Sequence, residues 1–277
     1  MQSTGTRFLL TGAARGIGRA MALRLARDSL QRHGAPAQMV LADLHREELD
    51  ALADELRAQG HRVFPVVADM ADEAAVAPLI DAAQAFGGLE AVVSNAGFAI
   101  PGPLLTQRVE DWDRVFAVHV RAAWLLGRAA HPLLKAAGGS MVVTTSISGS
   151  HATAPLGAYS ASKAAALMLV RQMALEWGPD GIRVNALSPG LTETPGTAVV
   201  YAQPQARAQR ASRIPLRRIA QAEDMANALS FLVGPDAAYV NGIDLLVDGG
   251  FAHGLMGSVN MAGWQGAPSP GAGRSPT

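Results

Sequence analysis

Residues 7–30 read RFLLTGAARGIGRAMALRLARDSL, and the order of parts in this stretch decides the fold. Arg7 to Thr11 is a short apolar run of strand length. Gly12, Gly16 and Gly18 follow, and from Arg19 onward apolar residues recur at helical spacing. Glycines between a strand and a helix let the backbone approach a pyrophosphate. The helix start adds free N–H groups and the positive end of its dipole. The spacing here, T-G-x-x-x-G-x-G, is not the G-x-G-x-x-G dinucleotide fingerprint, so the turn alone also fits a plain tight connection.

The same alternation runs on through the chain. Strand-like runs lie near 6–11, 38–42, 62–67, 90–94, 140–146, 182–187 and 243–247. Helical patterns lie near 16–32, 45–59, 72–86, 110–136, 157–177 and 221–233. Strands alternating with helices predict an α/β fold with a parallel sheet covered on both faces. Two stretches break the rhythm: residues 191–218, which follow a Pro-Gly and hold an Arg-rich helical segment, and residues 251–277.

Composition narrows the function. The chain has 277 residues, 49% of them hydrophobic, which suits one large α/β domain. Net charge is zero, so neither nucleic acid nor an anionic membrane is expected as a partner. With no cysteine there is no disulfide, thiol catalysis or thiolate metal site. No H-E-x-x-H spacing joins the seven histidines, and no G-x-S-x-G elbow is present, so neither a catalytic metal nor a serine hydrolase is indicated. No apolar run approaches the roughly 18 residues of a membrane span, and no signal peptide is visible, so a cytoplasmic protein is expected.

The chemistry is concentrated at Tyr159 and Lys163. The chain has only three tyrosines and only two lysines, so a Y-x-x-x-K arises by chance about one time in fifty. The pair follows Ser146, which ends the apolar run SMVVTTS (140–146). On a helix, residues four apart share a face. A lysine beside a phenol favours the phenolate and makes tyrosine usable as an acid or base nearer neutral pH.

TGAARGIG (11–18), SNAG (94–97), Ser146, Tyr159-Ser-Ala-Ser-Lys163, SPGLTET (188–194) and NGIDLLVDGG (241–250) together resemble the short-chain dehydrogenase/reductase family, over about residues 6–250. The resemblance implies a single doubly wound, Rossmann-type domain with about seven parallel strands. That domain spans 1–250 and is followed by a C-terminal extension, 251–277. It implies that Tyr159 exchanges the proton of the substrate oxygen and that Ser146 positions that oxygen. Lys163 then holds the nicotinamide ribose and lowers the Tyr159 pKa. Gly12, Arg15, Gly16, Ile17, Gly18, Asp69, Met70, Asn95, Ala96, Gly97, Pro189, Gly190, Thr192 and Thr194 fall at cofactor positions, with Tyr159 and Lys163. Ser148, His151 and Leu191 fall at substrate positions, and Ser148 is also a rival for the Ser146 role.

Asp43 ends the second strand, in MVLADL (39–44), where an acid accepts hydrogen bonds from the adenosine ribose and repels a 2′-phosphate. It also fits a cap for the next helix. Arg15 points toward NADP, but Asp43 outweighs it and NAD is the expected cofactor. His119, in WDRVFAVH (112–119), stands where the family usually has asparagine. It reads either as a packing substitution or as a proton acceptor titrating near neutrality.

The expected activity is an NAD-dependent interconversion of a secondary alcohol and a ketone, the alcohol being a polyol, cyclic alcohol, dihydrodiol or hydroxy acid. One alternative is an NADP(H)-dependent reductase of 3-oxoacyl thioesters, for which Arg207, Arg210, Arg213, Arg217 and Arg218 would recognise the anionic carrier. The other is a dinucleotide-binding sensor without turnover. The family implies a homotetramer. In the extension, Phe251, Leu255, Met256, Val259, Met261 and Trp264 predict packing on the protein, whereas 265–277 is expected to be disordered.

Overall fold

The computed structural model describes residues 6–254. The predicted behaviour of the extension beyond Gly254 therefore lies outside the described residues. Seven parallel strands form one sheet in the order β3-β2-β1-β4-β5-β6-β7. They are β1 (Arg7–Thr11), β2 (Gln38–Asp43), β3 (Arg62–Val67), β4 (Ala91–Ser94), β5 (Ser140–Thr144), β6 (Arg183–Pro189) and β7 (Asp244–Val247).

Alternate residues of each strand face opposite layers, as the period of two requires. Leu9 of β1 packs with helices α3 (Val76–Ala85), α5 (Ala122–Ala137) and α6 (Tyr159–Trp177). Its neighbours Phe8 and Leu10 pack with α1 (Gly16–His33), α2 (Arg46–Ala58) and α9 (Ala222–Val233) on the other face. A sheet buried on both sides explains why these strands read as continuous apolar runs.

The sequence predicts one helix over 110–136, but the structure divides it. Helix α4 (Val109–Phe116) passes into a π turn at Ala117–Arg121 before α5 begins. Such a turn adds a residue to the ladder without changing hydrophobic spacing enough to be read. The stretch after β6 forms a short lid of α7 (Ala198–Tyr201) and α8 (Pro204–Arg213). The lid has its own small core of Tyr201, Ile214 and Ile219, against which Leu191 and Phe251 pack.

The chain leaves β1 toward β2 and β3, then returns to place β4 on the other side of β1. This reversal opens a crevice at the carboxyl ends of β1 and β4, where ligands bind in such sheets.

Candidate active site

The glycine turn after β1 is built for close approach. A Cβ on Gly18 would lie 1.8 Å from the Gly12 carbonyl oxygen, so only glycine fits. Gly12 has φ +66°, and a Cβ there would meet the Ala96 backbone at 2.8 Å. Thr11 closes the crevice floor, its hydroxyl accepting from the N–H groups of Asn95 and Ala96 at 3.1 and 3.2 Å. The Asn95 amide donates to the Gly12 carbonyl at 3.0 Å. No side chain caps α1 and no acidic residue occupies its first turn, which leaves its N–H groups for an anion. These features fit a dinucleotide pyrophosphate. Ile17 packs beneath this turn, and Thr194 at the start of the lid packs against Gly16.

Asp43 sits at the rim of the same crevice. Its Oδ2 accepts from Ala14 N–H at 2.9 Å, and its Oδ1 accepts from His45 N–H at 3.0 Å. The His45 ring lies 2.8 Å from that same Oδ1. Burial raises the Asp43 pKa, opposed by the hydrogen bonds from the backbone. His45, not Asp43, is the N-cap residue of α2, and no side chain caps that helix, so the capping reading of Asp43 is not met. Arg15 faces Glu48 at 3.3 Å. Asp69 accepts from Ala71 N–H and pairs with Arg114 of α4 at 2.9 Å, while Met70 is buried beside it.

At the other end of the crevice, Tyr159 and Lys163 share a face of α6, with Nζ 5.6 Å from the phenol ring centre. Lys163 is buried and donates to the Thr144 carbonyl at 2.9 Å. Burial pushes its pKa down to about 7. The expectation that Lys163 lowers the Tyr159 pKa is not met in the free protein. Burial raises the phenol's pKa, and the opposing influence is a hydrogen bond from Ser146. The lysine, held on Thr144 and itself reluctant to carry charge, does not offset the burial. Ser146 Oγ accepts from Ser148 N–H at 3.1 Å, which leaves its own proton for the Tyr159 phenol beside it.

His119 is buried in the π turn. Phe98 N–H donates to its Nε2 at 3.1 Å, which fixes the proton on Nδ1, 2.8 Å from Ser162 Oγ. Ser162 in turn donates to the Tyr159 carbonyl at 2.8 Å. Burial, then the nearby Lys163 charge, push the His119 pKa down to about 2. The buried ring therefore resists protonation, and the geometry supports the packing reading over a group titrating near neutrality. A Cβ on Gly97 would lie 3.1 Å from His119 Nε2 and 3.4 Å from Lys163 Nζ, so Gly97 belongs to the same cluster.

The remaining candidates scatter. Ser148 is buried with its hydroxyl 2.9 Å from Thr153, not directed as a second Ser146. His151 is exposed and pairs with Ser150 at 3.0 Å. Leu191 turns into the lid core. Pro189 ends β6, Gly190 abuts Asp248, and Thr192 donates back to the Gly190 carbonyl at 3.1 Å. Sequence reasoning did not consider His45, and it quoted Thr11 and Ser162 within their motifs without giving either a role. Thr11 and Ser162 act through Asn95, Ala96 and His119, which only the fold brings to them.

The family model described as enoyl-(acyl carrier protein) reductase matches residues 12–252. The chain is 40% identical to cis-4-hydroxycyclohexanecarboxylate dehydrogenase of Sinomonas cyclohexanicum, over 88% of this chain and 95% of the relative. It is 36% identical to 2,5-dichloro-2,5-cyclohexadiene-1,4-diol dehydrogenase of Sphingobium indicum, over 89% and 96%. A short-chain dehydrogenase of Burkholderia cenocepacia, solved in complex with NADP, superimposes with a TM-score of 0.81 at 36% identity, covering 91% of this chain and all of that one. Matches of this extent, on a site of this construction, make the chain an oxidoreductase of the short-chain dehydrogenase/reductase family.

Proposed function

We propose that the protein oxidises a carbocyclic secondary alcohol to the ketone with NAD. The observation that carries this reading is the placement of Ser146, Tyr159 and Lys163 together at the carboxyl ends of the sheet that also carries the glycine turn and Asp43. The bound nicotinamide supplies the acceptor for the carbinol hydride. The chain does the rest. Tyr159 takes the hydroxyl proton at its phenolic oxygen, Ser146 donates a hydrogen bond to the substrate oxygen, and Lys163 holds the nicotinamide ribose. His119 keeps the Tyr159 turn in register through Ser162.

Two observations support a ring-shaped, weakly polar substrate. The loop after β4 is tied to the loop before Tyr159 by Gly102 N–H on the Pro155 carbonyl at 2.9 Å, and the segment that follows exposes Leu104, Leu105 and Val109. Both curated relatives described above are named for cyclic alcohols. Four of the lid arginines that spoke mildly for the carrier-thioester alternative have partners within the chain: Arg207 pairs with Glu193, Arg218 with Asp224, and Arg210 and Arg217 bond to backbone carbonyls. The NADP held by the solved relative speaks for the phosphorylated cofactor, and the Asp43 carboxylate speaks against it. Among the described residues no helix is long and apolar enough to cross a membrane.

The test is Tyr159→Phe, assayed with NAD over a panel of cyclic alcohols. Turnover should fall by about 10² to 10⁴, the range for a lost general acid/base, while NAD binding persists. Because burial raises the phenol pKa, wild-type oxidation should rise with pH and ketone reduction should fall. Turnover near wild type in the phenylalanine variant would rule this mechanism out.

A further inference from the structure

Asp43 is not alone at the ribose end of the crevice. Its side chain is 11% exposed, whereas that of His45, two residues on, is 50% exposed. Both His45 donors fall on one carboxylate oxygen: the backbone N–H at 3.0 Å and ring Nδ1 at 2.8 Å. Each carboxylate oxygen offers about two lone pairs, so these two contacts fill Oδ1. Oδ2 holds Ala14 N–H at 2.9 Å and has a single position left. A ribose diol seeking two acceptors would therefore compete with the His45 ring.

With Nδ1–H on the carboxylate, the opposite ring edge, Nε2, is engaged by no hydrogen bond among the described residues. His45 precedes the first turn of α2 and has no capping side-chain bond. The charged groups around it are few. Asp43 comes from β2, and Arg15 from the glycine turn is paired with Glu48 of α2 at 3.3 Å. Arg46 and Glu47 are on its own helix, and the β3 neighbour of Asp43 is the uncharged Val67.

We infer that His45 is a specificity-determining residue of the dinucleotide site: it competes with the ribose for Asp43 Oδ1 and, when protonated, offers a cation to a 2′-phosphate, so that NADP gains on NAD as pH falls. This rests on the reading of Asp43 as the ribose acid. With the ring neutral, the carboxylate charge stands uncompensated and repels the phosphate. With the ring charged, carboxylate and imidazolium cancel, just as Arg15 is already offset by Glu48. A histidine ordinarily exchanges its proton at about pH 6.5, inside the working range of enzymes.

The experiment is calorimetric binding of NAD and of NADP to the whole protein from about pH 5.5 to 8.5, for wild type, His45→Gln, His45→Ala and Asp43→Ala. In wild type the NADP-to-NAD affinity ratio should rise about three- to fivefold toward low pH, the scale of one half-exposed ion pair. The 2′-phosphate has its own pKa near 6, and this contribution persists in the variants. Glutamine, which keeps a hydrogen bond but no charge, should remove the His45 part of the trend. Alanine should also tighten NAD by freeing Oδ1. An unchanged slope in His45→Gln, with Asp43→Ala still weakening NAD, overturns this inference alone. If Asp43→Ala leaves NAD binding and discrimination untouched, Asp43 is not the ribose acid and both readings fall.

Discussion

His119 shows how one residue can keep a backbone arrangement while changing its chemistry. The ring accepts from Phe98 N–H on one side and reaches Ser162 on the other, so it ties the loop after β4 to the first turn of α6. Its folded-state pKa of about 2 lies far below the ordinary value near 6.5. The unfolded chain therefore binds a proton between these values that the folded chain refuses. Stability is fully present above about pH 6.5 and is lost as pH falls, at up to about 1.4 kcal/mol per unit from this group. His119→Asn should make the protein less sensitive to acid in denaturant titrations while leaving the shape of the pH–rate profile unchanged. Loss of a limb near pH 6–7 in that profile would make His119 a proton relay instead. None of this was legible in WDRVFAVH: the sequence marks an unusual residue there, but its tautomer is set by Phe98 and Ser162, which only the fold brings together.

At the scale of elements, strands and long helices fall within a few residues of their expected bounds. Their signal is the period of burial, and a two-layer α/β sheet imposes that period strongly. What escaped is what has no period. The π turn at Ala117–Arg121 changes the backbone without changing composition, and α7 is four residues long. We propose these elements as the place where the oligomer implied by the family resemblance would form. Phe116, Val120 and Trp124 face Leu169, Met173 and Trp177 across a groove of about 810 Å³ between the α4–α5 segment and α6. Trp124 is 42% exposed, and Met168 and Leu175 on α6 are more open still. Asp113, Arg121, Arg128 and Glu176 rim these apolar residues, and a mixed face of this kind could seat a second copy of the chain. Trp124→Glu should lower the sedimentation coefficient by disrupting association. Wild-type protein that already sediments as a monomer at micromolar concentration would contradict the assembly.

For the whole molecule, the chemistry follows from where the sheet reverses. The order β3-β2-β1-β4-β5-β6-β7 sets the glycine turn of β1 beside the end of β4, while β5 delivers Ser146 and α6 delivers Tyr159 and Lys163. The proposed catalytic residues Ser146, Tyr159 and Lys163 stood out in the sequence because such chemistry needs particular side chains at fixed intervals, and the fold brings them together. The substrate was not legible, because the lid and the loops after β4 and β5 carry no motif that would name it. The central claim is that this crevice moves a hydride from a carbinol carbon to NAD. The direct measurement uses a cyclic secondary alcohol deuterated at that carbon, mixed with the protein and NAD. The account predicts one deuterium on the reduced nicotinamide for each ketone formed. Tight dinucleotide binding with no deuterium transfer from any secondary alcohol, to NAD or NADP, would contradict it and leave a sensor in place of an enzyme.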